Sequence, residues 1–228
     1  MRKPVLVIAA HPDDEVLGCG GMIARATAEE RPVHIAILGE GLTSRQPTRE
    51  DTKQEDLNAL VRTADEVGSF LGAVAVHHFD FPDNRFDEIP LLDVVKVIES
   101  FVDTIQPSEI FTQHGGDLNQ DHAVTFRATM IATRPMKGHS VQALYAYEVP
   151  SSSEWSFGKF DPRFEPNYFV NISSTLDRKI RAMAIYESEN RAFPHPRSAE
   201  ALEAIARKWG STIGVEAAEA FQQVWKLI

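Results

Sequence analysis

The stretch Val5-Leu6-Val7-Ile8-Ala9-Ala10-His11-Pro12-Asp13-Asp14-Glu15 decides how the rest of the chain is read. Val5 to Ala10 is apolar without alternation, the pattern of a strand buried on both faces of a parallel sheet. The run ends at a cluster holding one imidazole and three carboxylates, followed at once by helical spacing. Working outward, Glu15 to Glu30 reads as a helix with Val16, Ile23 and Ala24 on one side, and Val33 to Leu38 as a second buried strand. Residues 50–71 form a long helical pattern through Leu57, Leu60, Val61, Ala64 and Val67. Ala73 to Phe79 is a third strand, Leu91 to Ile105 a helix, Glu109 to Gln113 a fourth strand, and Asp121 to Ala132 a helix. Strands alternating with helices in this way imply βαβ units and an open, mostly parallel sheet.

The remainder is less regular. Ala143 to Val149 and Tyr168 to Ile172 read as short strands, with antiparallel pairing one arrangement open to them. Leu176 to Ser188, Ser198 to Arg207 and Val215 to Leu227 read as helices. No internal repeat and no Pro, Gly or Ser-rich linker divides the chain. The expected architecture is α/β: a single Rossmann-like domain over residues 1–228, its mostly parallel sheet flanked by helices, with a C-terminal elaboration.

Composition narrows the function. Of 228 residues, 43% are hydrophobic and 25% charged, which excludes disorder and fibrous repeats. The Val5 to Ala10 run is too short for a membrane span of about 20 residues or for a signal peptide core of roughly 7–15. Cys19 is the single cysteine, so no intramolecular disulfide forms and nothing points to an oxidising compartment. The expectation is a cytoplasmic protein without membrane insertion. Lys plus Arg total 23 against 33 Asp plus Glu, a formal net charge of −10, and a chain this acidic argues against a nucleic-acid partner. A small anionic substrate stays open, since a local arginine pair holds a phosphate whatever the global charge.

In an open parallel sheet, ligands bind beyond the carboxyl ends of the strands, and His11 to Glu15 falls at that edge. His11 and Asp14, three residues apart across a turn into a helix, can bring an imidazole nitrogen and a carboxylate oxygen to one point. After the fourth strand comes His114-Gly115-Gly116-Asp117-Leu118-Asn119-Gln120-Asp121-His122, a glycine-marked loop opening a helix. His122 completes a His/Asp/His set suited to Zn2+ or another divalent metal, one per chain, with a fourth position open as in catalytic sites. Asp13, beside the set, is the candidate general base. Asp121 is the candidate to hold the second nitrogen of a ligand histidine. Taken singly, Asp13 or Asp14 reads at least as well as a helix N-cap, and His122 as a polar residue at a helix start.

Ala10 to Glu15 followed by Gly18-Cys19-Gly20-Gly21 resembles the signature of the PIG-L/LmbE-like metal-dependent deacetylases, which remove acetyl groups from N-acetylglucosamine units of sugar conjugates. The resemblance extends through Gly39-Glu40-Gly41, Asp117 to His122 and Ala217-Ala218-Glu219-Ala220-Phe221, the last taken as helical. It implies zinc ligands at His11, Asp14 and His122 and a base at Asp13. Many members carry a second histidine three positions before the last ligand. Here that position is Asn119, so His114 is the substitute candidate for the helper at the tetrahedral intermediate.

Gly18 to Gly21 lies inside a helix and lacks the third glycine of a dinucleotide fingerprint, which favours close packing. Cys19 reads as a small core residue. Asp83, in the loop after the third strand, is a candidate for sugar hydroxyls or a capped turn. Arg45 and the Arg191 to Arg197 segment, Arg197 above all, are candidates for a phosphate or a second sugar, or a surface loop. The resulting expectation is a zinc-dependent N-deacetylase acting on an N-acetylated amino sugar in a nucleotide sugar or glycoside. The alternatives are an amidase for a non-sugar amide and a non-catalytic sugar or nucleotide binder. The apolar C-terminal segment leaves a homo-oligomer open.

Overall fold

The computed structural model describes residues 2–228. In chain order its elements are β1 (Val5–Ala9), α1 (Asp14–Ala28), β2 (Val33–Gly39), α2 (Gln54–Leu71), β3 (Ala75–Phe81), α3 (Leu91–Ile105), β4 (Glu109–Gln113), α4 (Gln120–Ala132), β5 (Ala143–Tyr147), β6 (Tyr168–Asn171), α5 (Leu176–Ile185), α6 (Ala199–Ile213) and β7 (Ala218–Lys226). The strands form one 7-stranded sheet in the order β3-β2-β1-β4-β5-β7-β6. β3, β2, β1, β4 and β5 are parallel, and β7 runs antiparallel to both β5 and β6.

β1 shows why the apolar run carries no alternation. Val5, Val7 and Ala9 enter the core beneath α1 and α2, and Leu6 and Ile8 enter the opposite core with residues of α3 and α4. Both faces are dry, so every position must be apolar. The chain runs outward through β2 and β3 on the first face, then returns to pair β4 with the other side of β1. The loops leaving β1 and β4 therefore diverge, and the crevice between them lies where an open α/β sheet takes its ligand.

The C-terminal segment departs from its sequence reading. Residues 218–226, inside the stretch read as a helix from Val215 to Leu227, form β7, inserted between β5 and β6. Its antiparallel ladders to β5 and β6 outweigh the helical propensity of alanine and glutamate. α6 in turn runs past Arg207 to Ile213, ending at Gly214 in a left-handed conformation. β5 pairs parallel to β4, whereas β6 is antiparallel to its neighbour.

Gly18 to Gly21 explains itself in packing. Glu219 of β7 accepts the backbone N–H groups of Gly21 (2.9 Å) and Met22 (2.7 Å), and Lys179 of α5 donates to the Leu17 carbonyl (2.7 Å) and to Glu219 (2.7 Å). A buried ion pair thus bonds into the middle of α1, where a Cβ on Gly20 would come within 3.1 Å of Lys179 and one on Gly21 within 2.7 Å of Ile172. A Cβ on Gly18 would overlap the Tyr147 ring, whose hydroxyl donates to the Ile8 carbonyl at 2.7 Å. Gly18→Ala is therefore expected to destabilise the fold by about 1–3 kcal/mol through overpacking. A lower urea midpoint at unchanged m-value would show it, and an unshifted midpoint would count against this packing account.

Candidate active site

β1 delivers His11 to the crevice, and Pro12 and Asp13 turn the chain into α1. Asp13 has φ 115°, a left-handed backbone that is uncommon for any residue but glycine. Such strain persists only where the surroundings over-determine it. The Asp13 carbonyl accepts the N–H groups of Val16 (3.0 Å) and Leu17 (2.9 Å), which starts the helix. Its carboxylate makes no capping bond, so the N-cap side-chain role is not what this residue performs.

Asp14 is the centre of the arrangement. Its Oδ2 accepts the His11 N–H (2.9 Å) and the Gln113 amide (2.9 Å), and stands 3.5 Å from His11 Nδ1 and 3.2 Å from His122 Nε2. One ligand atom from each of His11, Asp14 and His122 lies within 4.8 Å of the others. Asp14 Oδ1 and both His122 nitrogens are buried without hydrogen-bond geometry to any partner among the described residues. Buried polar atoms are rarely left so, and imidazole nitrogens with a carboxylate are the donor set of zinc and its divalent neighbours. These residues fit a divalent cation.

The electrostatics agree. Burial opposes charge on the His122 ring, yet the Asp14 and Asp117 carboxylates outweigh it and lift the ring to about 9. His11 is raised in the same way, against its burial, by Asp121, Asp14 and Asp83. Burial pushes the Asp14 carboxyl up, but the two histidines hold it well below the usual range. The same anionic field that favours a proton on these rings favours any cation shared between them.

The outer nitrogens face carboxylates. His11 Nε2 lies 2.9 Å from Asp121 Oδ2 and 3.2 Å from Asp83 Oδ1. Asp121 also accepts the N–H groups of Asn84 (2.6 Å) and Phe86 (2.9 Å), and Asp83 accepts Ser44 Oγ (2.5 Å). His122 Nδ1 faces Asp117 Oδ2 at 3.3 Å, and Asp117 is fixed by Ser152, by Ser153 (2.7 Å) and by the Asn119 N–H (2.9 Å).

Asp13 lies beside this set. Its Oδ2 pairs with Arg197 Nη1 at 2.6 Å. Burial pushes the Asp13 carboxyl well up, and Arg197 works against that push. Arg197 also reaches Glu189 (3.3 Å) and Ser151 (2.8 Å), and Glu189 pairs with Arg45 at 2.5 Å. Both arginines thus have internal partners. They form a chain of ion pairs ending on Asp13. His114 is buried with its ring edge-on to Phe164 (5.3 Å), and burial lowers its pKa against the opposing pull of Asp117. No hydrogen bond links it to Asp13, Asp14 or His122 among the described residues. Asn119 caps α4 by accepting the Asp121 N–H at 2.8 Å.

Sequence reading passed over Gln113, Asp117 and Glu189. Gln113 ends a strand at the ligand edge and Asp117 sits in the glycine-marked loop, so position alone offered a signal for those two. Glu189 carried none, because its importance comes entirely from two arginines distant in sequence.

The GlcNAc-PI de-N-acetylase (PIG-L) family model matches residues 6–133, from β1 to the end of α4. Escherichia coli (strain K12) has a protein named as an uncharacterized deacetylase that is 30% identical over 156 residues, covering 66% of this chain and 76% of that one. Diacetylchitobiose deacetylase of Thermococcus kodakarensis is 30% identical over 210 residues, 82% of this chain and 70% of its own. Among solved structures, the 4-carboxy-2-hydroxymuconate hydratase GalB from Pseudomonas putida KT2440 superposes with a TM-score of 0.74 at 21% identity, covering 99% of this chain and 98% of its own. That likeness is one of fold.

The geometry predicts that His122→Ala loses stoichiometric divalent-metal binding. Asp117→Ala, which frees the outer side of the same ring, is expected to weaken it by about 10–100-fold. Chelator competition with zinc measures both, and wild-type affinity in either variant would remove that residue from the metal centre.

Proposed function

Because the chain belongs to the PIG-L family, we propose that it is a divalent-metal-dependent hydrolase that removes the N-acetyl group from a small N-acetylated amino-sugar conjugate. The observation that carries this reading is the convergence of unpartnered atoms of Asp14 and His122 with His11, while Asp13 stands next to them and pairs elsewhere. A site built only to bind a sugar has no use for a buried carboxylate beside a cation site.

Asp14, His122 and the His11 nitrogen that Asp121 leaves free would hold a cation such as Zn2+, which would supply Lewis acidity to the hydrolysis. The chain's own groups do the rest. Asp13 takes the proton of the attacking water and returns it to the departing amine, for which its carboxylate must be ionised at the start. Arg197 holds that carboxylate in one direction and favours its charged form. Asp121 and Asp117 fix the tautomer and orientation of the two rings. His114, buried after β4, is the candidate donor on the same loop for the developing oxyanion. Asp83 is tied to His11 and Ser44 and presents a fixed, buried edge of the sugar site.

Metal-loaded protein is expected to release acetate and free amine from N-acetylglucosamine-containing glycosides or nucleotide sugars. Asp13→Asn should keep metal and fold and lose on the order of 10²–10⁴ in kcat. Acetate release by this variant at the wild-type rate would remove Asp13 as the base. Failure of the metal-loaded wild type to deacetylate any N-acetylated sugar would overturn the substrate class.

The arginine chain makes a separate demand. Arg197→Ala is expected to lower kcat more than it raises KM, since the residue touches Asp13. A raised KM at unchanged kcat would make Arg197 a substrate anchor instead.

A further inference from the structure

We propose that Glu15 and Tyr186 form a buried hydrogen-bonded pair that positions Asp13, holding the main chain of the base in the conformation that presents its carboxylate to the site. The proposal rests on the reading of Asp13 as the general base.

Three observations meet at this point. Asp13 has φ 115° and ψ −28°, beyond even the ordinary left-handed well near +60°, so something must retain it. Its N–H donates to Glu15 Oε2 at 3.0 Å, a side chain reaching back from the first turn of α1. The other oxygen, Glu15 Oε1, accepts the Tyr186 hydroxyl at 2.7 Å. Glu15 is 1% exposed and Tyr186 fully buried, and among the described residues no cation pairs with Glu15.

Ordinary helix chemistry does not account for this. An acidic residue in the first turn helps a helix from an exposed position, without the cost of burying a carboxylate that has no cation beside it. A capping box would have the Asp13 side chain return the bond to the helix, and that side chain is turned to Arg197 instead. The carboxylate is buried where its bond to the Asp13 N–H sets the backbone of the base. Tyr186 follows α5 and Arg197 precedes α6, so the same C-terminal segment fixes Asp13 twice: Tyr186 through Glu15 at the main chain, and Arg197 at the carboxylate. A shift of the base by an ångström costs up to about 10²-fold in rate, which gives this double hold its purpose.

The test uses full-length, metal-loaded protein and the variants Glu15→Ala, Glu15→Gln and Tyr186→Phe. Hydrogen exchange at the Asp13 amide reads the positioning directly, and acetate release with metal content reads its consequence. Glu15→Ala is expected to speed Asp13 amide exchange and to lower kcat by on the order of 10–100-fold, with KM and metal stoichiometry within about twofold of wild type. Glu15→Gln should restore both, because its amide oxygen still accepts the Asp13 N–H and its nitrogen donates to Tyr186. Tyr186→Phe removes one hydroxyl from an otherwise unchanged ring and should show a smaller loss in the same direction; it carries the test if Glu15→Ala does not fold. Unchanged amide exchange in Glu15→Ala, equal losses in the alanine and glutamine variants, or a kcat loss that follows metal content would overturn the proposal. If the wild type releases no acetate from any sugar, amide exchange still decides the positioning, and the failure belongs to the substrate reading alone.

Discussion

The parallel pairing of β1 with β4 is the constraint on which the site depends. Val5, Leu6 and Val7 register against Glu109, Ile110 and Phe111, which brings the carboxyl ends of two strands side by side although about a hundred residues separate them. Because the connections from these strands leave on opposite faces, the His11 loop and the Asp117 to His122 loop open away from each other and leave a crevice between them. Gln113, the last residue of β4, reaches across it to Asp14. A slip of one residue in that pairing would turn Gln113 away and separate His122 from Asp14, since side chains alternate faces along a strand. The dry, two-faced burial of β1 is what makes such a slip costly.

Within the crevice, charge is arranged in layers. Asp14 faces two histidines, each of those faces a further carboxylate, and those carboxylates are saturated by backbone N–H groups and serine hydroxyls. Removing one member of such a network leaves a buried polar group unpaired, and that penalty exceeds the net worth of the bond lost. The acidic balance of the chain is therefore partly internal. Asp13, Asp14, Glu15, Asp83, Asp117, Asp121, Glu189 and Glu219 are all buried. They belong to the site and its supports and add nothing to a solvated surface.

The C-terminal third supports the rest more closely than a peripheral addition would. Its Lys179 and Glu219 bond into α1 at the glycines, Tyr186 reaches the first turn of the same helix, and Arg197 reaches the residue before it. α1 carries Asp14 at its start, so the helix that presents this carboxylate is gripped along its length by residues from α5, the α5–α6 connection and β7. A parallel sheet alone would place the two loops. The C-terminal segment aims the groups upon them.

Local pattern determined the parallel sheet, the strand that leads into His11, and the two loops that carry His11, Asp13, Asp14 and His122, because burial on both faces and turn chemistry leave their marks within a few neighbouring residues. The helix expected over 215–227 is strand for most of its length because a place between β5 and β6, with a backbone ladder on each side, exists only once the sheet has formed. The partners of the site were likewise settled in three dimensions. Arg197 meets Asp13 across 184 positions, Tyr186 meets Glu15 across 171, and Gln113 meets Asp14 across 99. Such contacts have no period and no local composition. They arise from where the packed helices carry the chain, and so a sequence that brings out the candidate residues leaves unstated what holds them in place.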